Sequence, residues 1–154
     1  MKIVKKILVV LLIVLVGLQF YRPEKNESGY ESVMAFENET QSPEEIKAIL
    51  KTKCYDCHSN QTVYPWYAEV SPVSLWLNGH IKEGKEHFNV SGWDSYSVKK
   101  KDHKLEELVE MVEEREMPLD SYTWIHGNIT DREREMLITW ATASRLRYEV
   151  QLSE

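Results

Sequence analysis

Five consecutive residues, Cys54-Tyr55-Asp56-Cys57-His58, combine two thiols and an imidazole at a spacing that can do chemistry. They include both cysteines of the 154-residue chain and one of its five histidines. Two thiols three residues apart can each add across a vinyl group of the same porphyrin, and the adjacent imidazole can bind the iron. This is the attachment pattern of a c-type haem. We therefore predict one covalent haem c, held by Cys54 and Cys57, with His58 as the proximal iron ligand.

Three other chemistries use a closely spaced pair of thiols. A thioredoxin-like redox pair would follow a strand, whereas the residues before Cys54 are polar and helical in pattern. A zinc site would need a second pair of ligands at comparable spacing, and the chain has no further cysteine. A structural disulfide is possible in an exported chain, but it assigns no role to His58. The haem interpretation accounts for all three side chains.

The sixth iron ligand determines whether the iron carries electrons or does chemistry. Met117 directly precedes Pro118 at an expected helix end, where the proline would stop the helix and let the thioether point at iron. We predict Met117 as the distal ligand. His80, in the middle of an apolar helical face, is the alternative, although a hydrogen-bonded core histidine fits the same pattern. His126 is expected to hydrogen-bond a haem propionate or a backbone carbonyl.

Aromatic residues cluster just after the pentad, in the segment Tyr64-Pro65-Trp66-Tyr67, and the chain contains five tryptophans. Such a set is typical of a pocket around a large flat group, although an ordinary aromatic core explains part of it. We include Tyr64 and Trp66 among the residues expected to contact the haem.

Four helices joined by loops are predicted to position these side chains, because apolar residues recur along them at helical spacing. They begin at Ser42-Pro43, at Ser71-Pro72, near Asp102 and at Thr130. The first leads directly into Cys54, and the third ends at Met117. No segment alternates with period two, so the predicted class is all-α, with a haem helping to fill the core.

The N-terminus has the pattern of an export signal, because three lysines precede an apolar run over residues 7–20. The run spans roughly 21 Å, less than a hydrocarbon core of ~30 Å, which favours a signal peptide. No small-X-small cleavage triplet follows it, which favours an uncleaved anchor with snorkelling lysines. We predict that residues 1–21 are a signal peptide or an uncleaved transmembrane anchor. The chain would then lie at the bacterial inner membrane, N-terminus cytoplasmic and haem domain in the periplasm or outside.

Composition divides the rest of the chain into two parts. Residues 22–41 are rich in glutamate and turn-forming residues without periodicity, and they predict a flexible linker with an end-to-end distance of roughly 25 Å. Residues 42–154 are enough for one haem-binding domain. With 25 acidic against 19 basic residues the net charge is −6, which excludes a nucleic-acid-binding protein. An acidic surface suits a basic redox partner.

An ordered set of motifs, from about Ser42 to Trp140, resembles a known family. The set consists of the pentad, Tyr64-Pro65-Trp66-Tyr67, His80, Asn89-Val90-Ser91-Gly92-Trp93, Met117-Pro118-Leu119, Tyr122 and His126. It is similar to the haem-binding domain family of membrane-anchored bacterial monohaem c-type cytochromes. The resemblance implies covalent haem, an N-terminal hydrophobic segment and an extracytoplasmic site. The order of helix, haem motif, Met-Pro loop and terminal helix is also similar to class I cytochromes c, whose Met-Pro methionine is the distal ligand.

The sequence thus predicts a small helical cytochrome c-like domain preceded by an N-terminal hydrophobic helix. We expect a membrane-anchored electron carrier that cycles between Fe(III) and Fe(II), exchanges electrons with redox partner proteins and is not an enzyme. One alternative is a peroxidase-like enzyme, which needs an open or displaceable sixth position. The other is a haem-based gas or redox sensor, which needs a separate output partner.

Overall fold

The computed structural model describes residues 2–153, and within that range the fold is all-α, as predicted. The α-helices are α1 (Lys2–Leu18), α2 (Met34–Glu39), α3 (Glu44–Lys53), α4 (Tyr55–His58), α5 (Val73–His87), α6 (Val98–Glu113), α7 (Asp120–His126) and α8 (Asp131–Ser153). Short 3₁₀ helices lie at Glu31–Val33, Trp66–Glu69 and Val90–Ser95. No strand forms among residues 2–153, where an isolated antiparallel bridge joins Glu27 to Gln61.

The two long helices α6 and α8 pack along each other and form one wall of the core. Leu105 and Val112 of α6 and Leu137 of α8 are buried between them, each contributing on the order of 2 kcal/mol of hydrophobic stabilisation. At the solvent side of the contact, the Arg145 guanidinium lies 3.0 Å from the Asp102 carboxylate. The domain therefore has a core of its own, apart from the attachment site.

The segment predicted as a flexible linker, residues 22–41, is folded, so that prediction is wrong. Residues 31–39 are helical, and the Phe36 side chain is completely buried. The Phe36 ring meets Trp93 edge-on at a centroid distance of 4.8 Å and Trp140 at 5.8 Å. A helix this short shows no readable periodicity, and the contacts that hold it come from distant parts of the chain.

Asn26 binds the same N-terminal segment to the loop after the pentad. Its side-chain Nδ2 donates to the Ser59 carbonyl at 2.8 Å and to Thr62 Oγ1 at 2.9 Å, and its backbone N–H donates to the Tyr64 hydroxyl at 2.8 Å. The Lys85 ammonium, on α5, donates to Asn26 Oδ1 at 2.7 Å. The segment therefore closes over the attachment loop.

The N-terminal helix α1 differs from the predicted transmembrane anchor. It is 17 residues long and buries none of them. At 1.5 Å per residue it spans about 26 Å, short of a ~30 Å hydrocarbon core. Within residues 2–153 we find no helix with both the length and the apolar character needed to cross a membrane. This finding contradicts the predicted location at the bacterial inner membrane, which depended on a membrane-spanning N-terminal helix.

Candidate haem-attachment site

The pentad lies at a break between two helices. The helix α3 ends at Lys53, Cys54 follows it, and α4 is a single turn that ends at His58. The His58 backbone N–H donates to the Cys54 carbonyl at 3.0 Å, which closes this turn. Residues three apart on one turn lie on the same side, so the two free thiols can reach one porphyrin.

Both thiols are held in their neutral form. Burial raises the pKa of the Cys54 thiol to about 12 and that of Cys57 to about 11. Redox-active pairs depend instead on thiolates, which form where the surroundings lower the thiol pKa. The site therefore does not favour the thioredoxin-like interpretation of the pentad.

The His58 ring is fixed in the tautomer that a metal ligand requires. Its Nδ1 lies 2.9 Å from the backbone carbonyl of Phe88, which can only accept a hydrogen bond, so Nδ1 carries the proton. Burial lowers the pKa of His58 below its usual value near 6.5, which keeps the ring neutral. A neutral imidazole protonated at Nδ1 leaves the Nε2 lone pair for iron.

Helix α5 lies directly against the attachment turn, and Gly84 makes this close packing possible. A Cβ atom at Gly84 would lie 2.8 Å from the backbone oxygen of Cys57 and 3.2 Å from Cys57 Cβ. Phe88, whose carbonyl accepts from His58, is the first residue after α5. One helix thus sets the position of both Cys57 and the His58 ring.

We expect Gly84→Ala to push α5 away from Cys57, whose carbonyl belongs to the backbone and cannot move aside freely. The matched control is Gly79→Ala, on the same helix, where an added Cβ has no atom within 4 Å. Both substitutions raise the helix propensity by the same amount. Because of the overpacking at position 84, Gly84→Ala should therefore be less stable than Gly79→Ala by about 1–3 kcal/mol in denaturant unfolding. Equal denaturant midpoints for the two variants would show that the close packing of Gly84 against Cys57 does not exclude a larger side chain.

An apolar cavity of about 370 Å³ opens beside Cys57. Its lining comes from the loop after the pentad, from α5 and from α7, and includes Asp56, Cys57, Thr62, Val63, Pro65, Trp66, Tyr67, Val73, Trp76, Leu77, His80, Ile81, Leu119, Ser121, Tyr122, Ile125 and His126. Several large lining side chains face solvent, among them Trp66 at 81% exposure. An apolar concavity rimmed by exposed aromatic residues is typical of a site for a large flat ligand.

The structure places four of the predicted site residues in the cavity lining and four outside it. Cys57, Trp66, His80 and His126 line it. Cys54, His58, Tyr64 and Met117 do not. Tyr64 lies in the loop after the pentad, where its hydroxyl accepts from the Asn26 backbone.

Met117 lies in the turn after α6, where its backbone N–H donates to the Met111 carbonyl at 3.1 Å. Its side chain is half-buried. Its role as the distal ligand stays a prediction.

The two cavity histidines have different surroundings. His80 lies one turn before Gly84 on α5, and its ring contacts that of Trp76 at a centroid distance of 4.3 Å. His126 ends α7, and its Nε2 is hydrogen-bonded to the Tyr67 hydroxyl at 2.8 Å. The His126 ring also stacks on Tyr122, with a centroid distance of 4.2 Å and an interplanar angle of 10°.

A carboxylate inside the pentad completes this network. Asp56 Oδ2 accepts from the Tyr122 hydroxyl at 3.0 Å, and its Oδ1 accepts from the Val63 backbone at 2.8 Å. Burial, followed by the charge of Asp56, raises the pKa of Tyr122, which stays a neutral donor. The roles of Asp56, Tyr67 and Tyr122 were missed in the sequence. The spacing of four between Tyr122 and His126 was the one available signal.

The donor set fits a haem. Two neutral thiols lie on one turn, a neutral imidazole keeps Nε2 for iron, and an apolar cavity opens beside the second thiol. Among residues 2–153 no group of three or more His, Cys, Asp or Glu side chains could hold a metal ion by itself. A porphyrin brings four ligands of its own, so the chain needs to supply only the axial ones.

These features define a helical haem-binding domain, and comparison with known proteins gives its family. Residues 13–143 match the family described as the haem-binding domain, and the chain belongs to it. The predicted family is thereby confirmed, whereas the similarity to class I cytochromes c is not. No curated protein and no solved structure matches the chain.

Proposed function

We propose that this protein carries one covalent haem c, attached through Cys54 and Cys57 with His58 as an axial ligand, and that it transfers electrons. The observation that carries the proposal is the hydrogen bond from His58 Nδ1 to the Phe88 carbonyl, which leaves Nε2 free one residue after the second thiol. A redox-active dithiol would have no use for this arrangement of the imidazole.

The side chains of the site have separable roles in this proposal. Cys54 and Cys57 would hold the haem, each by adding its sulfur to one carbon of a vinyl group and its proton to the other, so that no leaving group would be needed. The apolar lining excludes water from the ring. When bound, the haem supplies an iron that alternates between Fe(III) and Fe(II).

A redox partner protein is proposed to dock at the open side of the cavity. Trp66 is 81% exposed there, and Ile125 is 64% exposed. Aromatic and aliphatic side chains of this kind are enriched in the cores of protein interfaces. The acidic balance of the chain favours a basic partner.

The proposal is tested on the full chain produced together with a haem-attachment system. We expect a haem absorption spectrum that survives extraction with acidified acetone, one haem per chain, and reversible reduction without turnover of peroxide. Colourless protein would refute haem binding. Pigment that is extracted would refute covalent attachment. A five-coordinate iron that turns over peroxide would replace electron transfer with peroxidase-like catalysis.

A further inference from the structure

The sixth iron position has three candidate side chains, and the structure separates them. His80 and His126 line the cavity beside Cys57, whereas Met117 does not. The assignment of this ligand rests on the proposed function, in which Cys54, Cys57 and His58 would hold the haem. It depends on which of the three side chains is free to bind iron.

His126 is already engaged on several sides. The atom that would bind iron, Nε2, is hydrogen-bonded to Tyr67, and the ring is stacked on Tyr122. Tyr122 is itself held, because its hydroxyl lies 3.0 Å from both Asp56 Oδ2 and the Thr52 carbonyl. To bind iron, His126 would have to lose the Tyr67 hydrogen bond and leave its stack on Tyr122.

The end of α7 is also fixed to the attachment segment. The Lys53 ammonium donates to the His126 carbonyl at 2.7 Å and to the Gly127 carbonyl at 2.9 Å. Lys53 is the residue before Cys54, so the backbone that carries His126 is tied to the same turn that carries the thiols. A movement of His126 by backbone displacement would break these bonds as well.

Met117 lies in the turn after α6 and does not line the cavity. The turn after α6 is closed by two hydrogen bonds to the Met111 carbonyl, from the backbone N–H groups of Glu116 and Met117. Leu119, two residues further on, is the first residue of this segment to reach the cavity lining. Iron ligation by Met117 would therefore use a side chain from outside the cavity lining, whereas His80 is already part of that lining.

His80 needs no such change. It projects from the middle of α5. Gly84 of this helix packs against Cys57, and the carbonyl of Phe88, directly after the helix, accepts the hydrogen bond from His58. Its ring contacts Trp76, four residues earlier on the same helix, at the cavity wall. A rotation about its side-chain bonds would reorient the ring without disturbing the backbone that positions Cys57 and His58.

We propose that His80 is the sixth iron ligand and that Tyr67, together with the Asp56–Tyr122 pair, holds His126 away from the iron. His80 is then an iron ligand, and Tyr67, Asp56 and Tyr122 are positioning residues. Ligation by two histidines gives a lower reduction potential than a histidine–methionine pair, because methionine raises it.

The first test compares His80→Ala with Met117→Leu, a substitution that conserves side-chain volume. Wild-type protein should be low-spin without the far-red sulfur-to-iron absorption, and Met117→Leu should leave the spectrum and the potential unchanged. His80→Ala should become high-spin and bind carbon monoxide, and added imidazole should restore the low-spin spectrum.

A far-red band in the wild type that disappears in Met117→Leu would overturn the proposal, whether or not His80→Ala folds. Failure of the proposed function is distinguished by a second measurement. The pyridine haemochrome of the denatured variants reports covalent haem c whatever the native sixth ligand is. If that signal is absent in the wild type, attachment has failed, not the assignment of His80.

The second test releases His126 by Tyr67→Phe in the His80→Ala background. Loss of the hydroxyl frees His126 Nε2, so part of the low-spin signal should return without added imidazole. The matched control is Tyr64→Phe. It also removes a tyrosine hydroxyl from this segment, but that hydroxyl accepts a hydrogen bond from the Asn26 backbone and does not contact His126. Identical spectra for the Tyr67→Phe and Tyr64→Phe double variants would refute the positioning role of Tyr67.

Discussion

Replacing both Cys54 and Cys57 with serine is expected to give a protein that loses all of its pigment in acidified acetone. Serine keeps the size of the side chain but cannot form a thioether. While tethered, the haem is presented to the cavity at an effective concentration in the millimolar range. Against micromolar free haem this is a factor of about a thousand, so losing the tether should cost the haem-bound state about 4 kcal/mol.

The measurements are the spectrum after extraction and the thermal midpoint at fixed haem concentration. The single variants Cys54→Ser and Cys57→Ser are graded controls, since each keeps one thioether and should retain the pigment under the same extraction. A double variant whose pigment still resists extraction would show that the haem is held by other bonds, and the assignment of both cysteines would be wrong.

Phe36→Ala should destabilise the domain by about 3–5 kcal/mol, a large share of the 5–15 kcal/mol that holds a typical domain folded. Phe36 is completely buried, and its truncation would leave a cavity between Trp93 and Trp140. The loss should be measured as a shift in the denaturant midpoint at unchanged slope.

The control for this prediction is Met34→Ala on the same short helix. Met34 is 56% exposed, so its truncation should change the free energy of unfolding by no more than about 0.5 kcal/mol. If residues 31–39 were a flexible linker, the two variants would behave alike. A midpoint for Phe36→Ala close to that of Met34→Ala would therefore contradict the folded state of this segment.

The long helices could be predicted from the sequence because local patterns determine them. A helix was expected to begin at Ser71-Pro72, and α5 runs from Val73 to His87. Another was expected to begin at Thr130, where a capping box is present, since the Thr130 N–H donates to Glu133 Oε2 at 2.7 Å and the Glu133 N–H donates to Thr130 Oγ1 at 3.2 Å.

Other local signals were overridden by longer-range contacts. A helix was expected to begin at Ser42-Pro43, but α3 begins at Glu44 with Pro43 in the capping position, and the Ser42 hydroxyl is hydrogen-bonded to Thr40 Oγ1 at 2.8 Å. The folding of residues 31–39 depends on Trp93 and Trp140, which lie far away in sequence, and no local pattern reports such contacts.

The candidate site was only partly predictable for the same reason. The pentad specifies its own chemistry, so Cys54, Cys57 and His58 could be named from spacing alone. The carbonyl that fixes the His58 tautomer belongs to Phe88, thirty positions away, and is a backbone group that any residue would supply. Tyr122 lies on the same helix as His126, but only folding brings Tyr67 to the His126 ring and Asp56 to the Tyr122 hydroxyl.

The arrangement of His80 and Gly84 on α5, with Phe88 directly after the helix, has a consequence for how this chain can evolve. Inserting or deleting a single residue between His80 and Phe88 would turn the two ends relative to each other by about 100° and shift them by about 1.5 Å along the axis. The stretch from 80 to 88 should therefore keep a constant length among descendants of this sequence. Length variation should instead accumulate in exposed turns such as the one after α6, which lies outside residues 80–88.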